Sequence, residues 1–239
     1  MTVISEQRGR VRTERLFFLM MALVIAATVV FGFSVSIARP EVGFAAAPPQ
    51  VYVHGAVFSL WIIFFVLQNT LVVAGAVGWH RRLGWMGASL ATLMVGLGVV
   101  TAVMALQQHR VPPIFPPNVF LMVSVVGIAT FGGLTAAAVA MRGKPDWHRR
   151  LMLCGTIMVM SPALGRVLPM AALGPLATWA VFIGMGVYVG AGMAFDRVAL
   201  GRVHPAYFWG MGAIALNQGL IGALSFSPPI LSLTARLMG

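Results

Sequence analysis

Long apolar runs separated by short polar breaks are the feature that most constrains the fold of this chain. Each run has about twenty residues, the length with which an α-helix crosses the hydrocarbon core of a bilayer. Of the 239 residues, 59% are hydrophobic and only 9% are charged, whereas about 25% of a typical soluble domain is charged. The sequence therefore predicts an all-α integral membrane protein. Seven transmembrane helices are expected at approximately 16–38, 51–77, 83–106, 119–141, 151–170, 176–195 and 206–224.

The distribution of basic residues predicts how these spans are oriented. The first apolar run is longer than the 7–15 residues of a signal-peptide core, so it is interpreted as a retained span. Residues 1–15 form a basic arm, and 16–239 form a single transmembrane domain. With seven spans, twelve of the sixteen Lys and Arg residues fall on the side of that arm. Because cytoplasmic loops are enriched in basic residues, the N-terminus is predicted to be cytoplasmic and the protein to be a multi-pass protein of the bacterial inner membrane.

One short sequence occurs twice and indicates a duplication. Trp-His-Arg-Arg-Leu stands at 79–83 and again at 147–151, each time with a glycine eight residues after the tryptophan. A fixed repeat of this kind predicts two equivalent structural units. The hairpins would be 50–107 and 117–170, related by a pseudo-two-fold axis along the membrane normal. Spans two to five would form a pseudo-symmetric four-helix core, flanked by spans one, six and seven.

Several functional classes are disfavoured by what the apolar runs lack. All five carboxylates lie outside the apolar cores, which argues against carboxylate metal sites and ion-coupled transport. The single cysteine, Cys154, excludes an internal disulfide and is expected to be a core residue. The net charge of +11 is concentrated at the ends of spans. This pattern favours contact with anionic lipids at the cytoplasmic edge and argues against nucleic acid as a partner.

Span two and span five carry candidate ligand-binding residues. His54, Trp61 and Gln68 recur every seven residues, so they follow one helix face across the membrane. This face would line a cofactor or ligand pocket, or its polar groups would serve interfacial anchoring and interhelical hydrogen bonding. Arg166 is the one basic residue inside an apolar run. It would hold a haem propionate, a quinone oxygen or a lipid phosphate, or its side chain would reach the outer membrane surface.

His80 and His148 are the candidate metal ligands. They occupy equivalent positions in the two repeats and are expected at the same membrane depth. Two facing histidines suit the iron of a six-coordinate haem b, since the porphyrin supplies the remaining ligands. Alternatively, Trp, His and Arg at this boundary reflect the aromatic belt and the positive-inside bias.

The arrangement of these motifs resembles an uncharacterised family of bacterial multispanning membrane proteins. The resemblance covers about 50–170 and rests on His54 with Gln68, on the His-Arg-Arg-Leu-Gly sequence at 80–84, and on the His-Arg-Arg-Leu-Met sequence at 148–152 with Arg166 eighteen residues after His148. The histidine-bearing core is also distantly similar to membrane cytochromes of the b561 kind. That similarity implies two haems and electron transfer across the membrane.

Three functions follow as expectations. The first is a membrane redox or electron-transfer protein that binds haem b or a quinone in the bundle core. The second is a non-catalytic accessory or assembly subunit, with other membrane subunits as partners. The third is a protein that binds or transports lipids or small hydrophobic molecules.

Overall fold

A computed structural model describes residues 2–37 and 47–239, with side chains described from Gly9 onward except at 10 and 175. In this described part of the chain all regular secondary structure is helical, the helices are joined by short loops, and there is no β-strand. The helices are α1 (Thr2–Ile37), α2 (Pro49–Val73), α3 (Val77–Gln107), α4 (Pro117–Ala140), α5 (Pro145–Val159), α6 (Ser161–Val167), α7 (Met170–Leu173), α8 (Ala177–Leu200), α9 (Pro205–Ser225) and α10 (Pro228–Met238), with a 3₁₀ turn at Gly174–Leu176.

Five of these helices are long and apolar enough to cross a membrane, which confirms the prediction of a multi-pass membrane helix bundle. They are α2, α3, α4 and α8 over their whole lengths and α1 over Val11–Ile37. The pair α9 and α10, bent by 74° at the break between them, would add a sixth candidate. The predicted span at 151–170 is not continuous, because α5 ends at Val159 and α6 begins at Ser161. Pro162 explains the break, since proline lacks the N–H group and clashes with the preceding turn.

Most helices of the bundle pack against the helix that follows them in the chain, and α1 connects the first of these helices with a later one. Helices α2 to α5 pack in chain order, while α1 packs along both α2 and α6. Phe18, Met21 and Ile25 of α1 belong to the main hydrophobic core. The first span, expected to flank a four-helix core, therefore also contributes side chains to the main core. Gly32 permits the approach to α6, because a Cβ there would lie 2.6 Å from the Ala163 carbonyl oxygen.

In each hairpin of the repeat, the two helices come closest at the glycine that follows the Trp-His-Arg-Arg-Leu sequence. A Cβ on Gly87 would lie 2.5 Å from the ring of Phe64, and one on Gly155 would lie 3.2 Å from the hydroxyl of Thr135. In both hairpins the second helix thus approaches the first closely through a glycine, within two turns of the histidine. This crossing brings the two histidines to the same end of the bundle.

Outer helices cover the remaining faces of the bundle. Helix α9 packs against α4 and α5, and α8 packs against α9 and α6. The amphipathic helix α10 contacts α3 and α4, where a separate apolar cluster includes Leu106, Leu121 and Met122. Asn118 fixes this end by donating a hydrogen bond of 2.9 Å to the carbonyl of Ser225. One end of the bundle is thereby capped by α10.

Candidate functional site

A column of polar atoms without hydrogen-bond partners runs through the interior of the bundle. Trp61 and Gln68 are 1% and 8% exposed, so the polar face predicted on α2 points inward. Six of the buried atoms for which no partner is found within the described part of the chain belong to this column: His54 Nδ1, Trp61 Nε1, both amide atoms of Gln68, His80 Nδ1 and Thr135 Oγ1. Each such group costs about 1–3 kcal/mol when left unpaired. These residues are hereafter called the polar column.

The histidine pair lies at one end of this column. The ring centres of His80 and His148 are 6.1 Å apart, with the ring planes at 78°. His148 Nδ1 lies 2.8 Å from the carbonyl oxygen of Ala138, at the end of α4. A ring nitrogen facing a carbonyl carries the proton, which leaves Nε2 as the lone-pair donor. The structure therefore brings together the two histidines that the repeat predicts as equivalent.

The pair is compatible with a metal-containing cofactor whose organic part supplies the remaining ligands of the metal. A metal–imidazole bond is about 2.0–2.1 Å long. Two imidazole rings bound on opposite sides of one metal ion would therefore have centres about 6 Å apart. Among the described residues, no cluster of three or more His, Cys, Asp or Glu side chains suited to a metal is present. A metal held by protein ligands alone would thus be under-coordinated. A haem iron would not be, since the porphyrin provides four nitrogens.

Trp61 separates the histidine pair from the other end of the column. Its indole packs edge-to-face against Phe131 of α4, with ring centres 5.0 Å apart. Thr135 follows one turn later on α4, and Gln68 follows two turns later on α2. These two side chains therefore occupy the layer between the aromatic pair and the histidines. The same layer contains three of the unpartnered polar atoms.

Arg166 and His54 lie at the opposite end of the bundle from the histidine pair. His54 is half-buried and stacks on Phe58, with ring centres 4.0 Å apart. The positive charge of Arg166 is close enough to interact with the imidazole of His54. The guanidinium carbon of Arg166 stands 4.2 Å from the ring centre of Phe33. Arg166 lies beyond the Pro162 break, so the continuous helix expected to join it to His148 is interrupted.

A buried ion-pair network at the histidine end was missed by the sequence reasoning. Arg150 is fully buried and donates from Nε and Nη2 to the Asp196 carboxylate, at 2.9 and 2.6 Å. Its Nη2 is also 3.5 Å from Glu14 Oε1. Arg149 bonds Glu14 at 2.9 Å and pairs with Asp146. Every carboxylate whose side chain is described thus contributes to one network, which joins α1, α5 and α8.

The start of α9 completes this network. The backbone N–H of His204 donates to Asp196 at 3.0 Å, and His204 Nδ1 accepts from the N–H of Ala206 as the cap of α9. The ring of His204 also packs edge-to-face on Trp147 at 5.2 Å. Burial, and then the charge of Arg150, lower the pKa of His204. His204 is therefore held in place by hydrogen bonds and ring packing at the start of α9.

A groove of about 630 Å³ opens between α4, α5 and α9. Its lining is mainly apolar and includes Leu134, Trp147 and Trp209, with Thr130 and Asn217 as polar members. Thr130 donates a long hydrogen bond of 3.4 Å to the side chain of Asn217. None of the residues predicted to form a ligand site contributes to the groove. The groove and the polar column are therefore separate features.

Comparison of the chain with protein-family models, with curated proteins and with solved structures found no match.

Proposed function

We propose that this protein is a membrane redox protein that binds haem b through His80 and His148. The observation that carries the proposal is the closeness of the two imidazole rings, which pack edge-on with 6.1 Å between their centres. The hydrogen bond from His148 to the Ala138 carbonyl would orient the ring and raise its basicity, as outer-shell partners of metal-bound histidines do. Bound haem would supply one-electron chemistry. His80 and His148 would hold the iron, and the helices packed around them would limit access of water to it.

The polar column supports a ligand with polar atoms inside the bundle. Gln68 and Thr135 have buried polar atoms without partners beside the histidine layer, and buried groups of this kind require a partner. A quinone is the alternative ligand for the column, since the Gln68 amide and the Trp61 N–H would donate to its carbonyl oxygens. In either case the ligand is planar, redox-active and largely shielded from water.

We also propose that the chain crosses the membrane seven times with a cytoplasmic N-terminus. The interrupted pair α5–α6 would be the fifth span, because it touches α1 near both of its ends. Arg149 binds Glu14 at one end, and Arg166 covers Phe33 at the other. Those two α1 residues are 19 positions apart, which is about 28 Å of helix. A bilayer core is about 30 Å thick.

Absorption spectroscopy of the purified protein tests the haem proposal. Protein expressed in haem-replete cells should show a Soret band and the sharp visible bands of a six-coordinate haem. His80→Ala and His148→Ala should each abolish or shift these bands, because one axial ligand is lost. His204→Asn is the matched control, since asparagine also caps a helix and lies outside the pair. A wild-type protein without a Soret band would sink the proposal.

A second candidate function is the binding of a small hydrophobic molecule, which the groove between α4, α5 and α9 favours. Its volume of about 630 Å³ lies within the 300–1,000 Å³ typical of ligand sites. Asn217, only 2% exposed, would provide the polar contact that fixes ligand orientation. A colourless protein that retains lipid through purification would favour this function over haem binding.

A further inference from the structure

We infer that Arg166 and His54 form a binding site for an oxyanion, a phosphate or carboxylate group, at the end of the bundle opposite the ion-pair network. The site lies where α1 packs against α2 and against α6. It does not depend on haem, and its ligand would make contact through charge and hydrogen bonds instead of metal coordination.

The guanidinium of Arg166 has one edge without a hydrogen-bond partner. Its Nη1 donates to the carbonyl of Pro162 at 2.8 Å, and Phe33 covers its face. Its Nε is buried and has no partner within the described part of the chain. The edge formed by Nε and Nη2 is the one that binds a carboxylate or phosphate through two parallel hydrogen bonds.

At Arg150, the same Nε–Nη2 edge of the guanidinium binds a carboxylate of the protein itself. There, Nε and Nη2 hold the two carboxylate oxygens of Asp196, while Nη1 donates to the backbone carbonyl of Asp146 at 3.0 Å. Arg166 repeats this arrangement with one part missing. Its Nη1 binds a backbone carbonyl four residues earlier, yet among the described residues no carboxylate is paired with it.

His54 supplies the second donor. Its buried Nδ1 lacks a partner among the described residues, and Arg166 is the neighbouring charge. An anion bound between them would pair both groups at once. A half-buried guanidinium near the membrane gains little from lipid tails, and no described carboxylate is paired with it. A bound oxyanion would provide the opposite charge.

Two sources can deliver the same group, a phospholipid headgroup or a free anion. Both are tested with protein purified in a maltoside detergent, which contains no phosphate. One arm adds inorganic phosphate, with chloride at equal ionic strength as reference. The other adds phosphatidylglycerol in mixed micelles. The melting temperature is recorded in each arm, and native mass spectrometry counts the phospholipid molecules that stay bound.

Arg142→Gln is the matched control for Arg166→Gln. Arg142, just after the end of α4, likewise donates from Nη1 to a nearby backbone carbonyl, that of Val139, and lies over an aromatic ring, that of Trp85. It is exposed, however, and carries no buried unpaired nitrogen. Arg166→Lys keeps the charge without the two-pronged edge, and His54→Gln keeps a donor without the imidazole.

The inference predicts a rise of several degrees in wild-type melting temperature with phosphate, with phosphatidylglycerol or with both. Arg166→Gln should lose this rise, Arg166→Lys should keep a smaller part of it, and Arg142→Gln should retain it. A response to phosphate identifies a free-anion site, and a response to lipid alone identifies a headgroup site. If neither arm stabilises the wild type, or if Arg142→Gln removes the response as fully as Arg166→Gln, the inference is wrong.

Discussion

Arg82 and Arg150 occupy equivalent positions in the two copies of Trp-His-Arg-Arg-Leu, yet their surroundings differ. Arg82 is exposed and lies over the ring of Trp79 at 5.6 Å. Arg150 is fully buried against Asp196 and the rings of Phe18 and Tyr207. The local sequence is the same, so the difference arises from what packs on each hairpin. Helices α1, α8 and α9 cover the second copy.

Replacing Arg150 should therefore cost much more stability than replacing Arg82. Arg150→Met should lower the free energy of unfolding by about 3–5 kcal/mol, because it leaves the Asp196 carboxylate buried without its partner. Arg82→Met, at the exposed equivalent position, should change it by no more than about 0.5 kcal/mol. Unfolding of the detergent-solubilised variants by a denaturing detergent measures both values.

The double variant gives a sharper outcome for the same network. Asp196→Asn should destabilise the wild type, since the ion pair is lost, but should stabilise Arg150→Met, since it removes the uncompensated charge. Equal effects of Asp196→Asn in both backgrounds would show that the two side chains are not energetically coupled.

At the scale of elements, the helices follow from the apolar runs, whereas their contacts do not. The length of each run and its flanking Pro or Gly residues place most helices correctly, and Pro162 marks the break between α5 and α6. The position of α1 inside the core could not be inferred, because every face of an apolar membrane helix has similar composition.

The network around Arg150 was missed for a related reason. Asp196 and Glu14 are distant in sequence and adjoin apolar runs, so only the packing of α1 and α8 brings them together.

The spacing of glycines likewise does not reveal which helix faces are in contact. Gly186 and Gly190 of α8 form the small-residue pattern that favours close helix contact, yet a Cβ on Gly190 would have no atom within 4 Å. The close crossing with α9 instead lies at Gly192, where a Cβ would be 2.5 Å from the Tyr207 hydroxyl. The large Tyr207 ring, fully buried at the start of α9, determines which glycine is needed.

Gly192→Ala should consequently destabilise the protein by about 1–3 kcal/mol, since the Tyr207 ring must move. Gly190→Ala, on the same helix, should be neutral or stabilise slightly, because alanine is the better helix former and meets open space. Melting temperatures of the two variants in detergent provide the comparison. Equal losses for both would place the helix crossing elsewhere.

At the scale of the whole molecule, the two ends of the bundle differ in chemistry. One end has the histidine pair and the network of Arg149, Arg150 and Asp196. The other end has Arg166, His54 and the capping helix α10. The duplication predicted the pairing of His80 and His148, since equivalent hairpins place equivalent residues at equal depth. It could not predict which polar atoms lack partners, because that depends on every side chain packed around them.

Whether α5–α6 crosses the membrane determines the side on which α10 lies relative to the start of α5. Lys144 precedes α5 and Ser232 lies in α10, and both are exposed. If α5–α6, α8 and α9 all cross, three crossings separate Lys144 from Ser232, which then lie on opposite sides. If α5–α6 returns to its starting side, only two crossings remain, and the two residues share a side.

Single cysteines at these positions distinguish the alternatives by reaction with a membrane-impermeant thiol reagent. Ser232→Cys should react in intact cells, whereas Lys144→Cys should react only after the membrane is permeabilised. The wild-type chain is the background control, because Cys154 is fully buried and burial keeps a thiol unreactive. Reaction of both variants in intact cells, or of neither variant until the membrane is permeabilised, would contradict seven spans. Reaction of Lys144→Cys in intact cells would also contradict a cytoplasmic histidine pair, since Lys144 and His148 both lie at the start of α5.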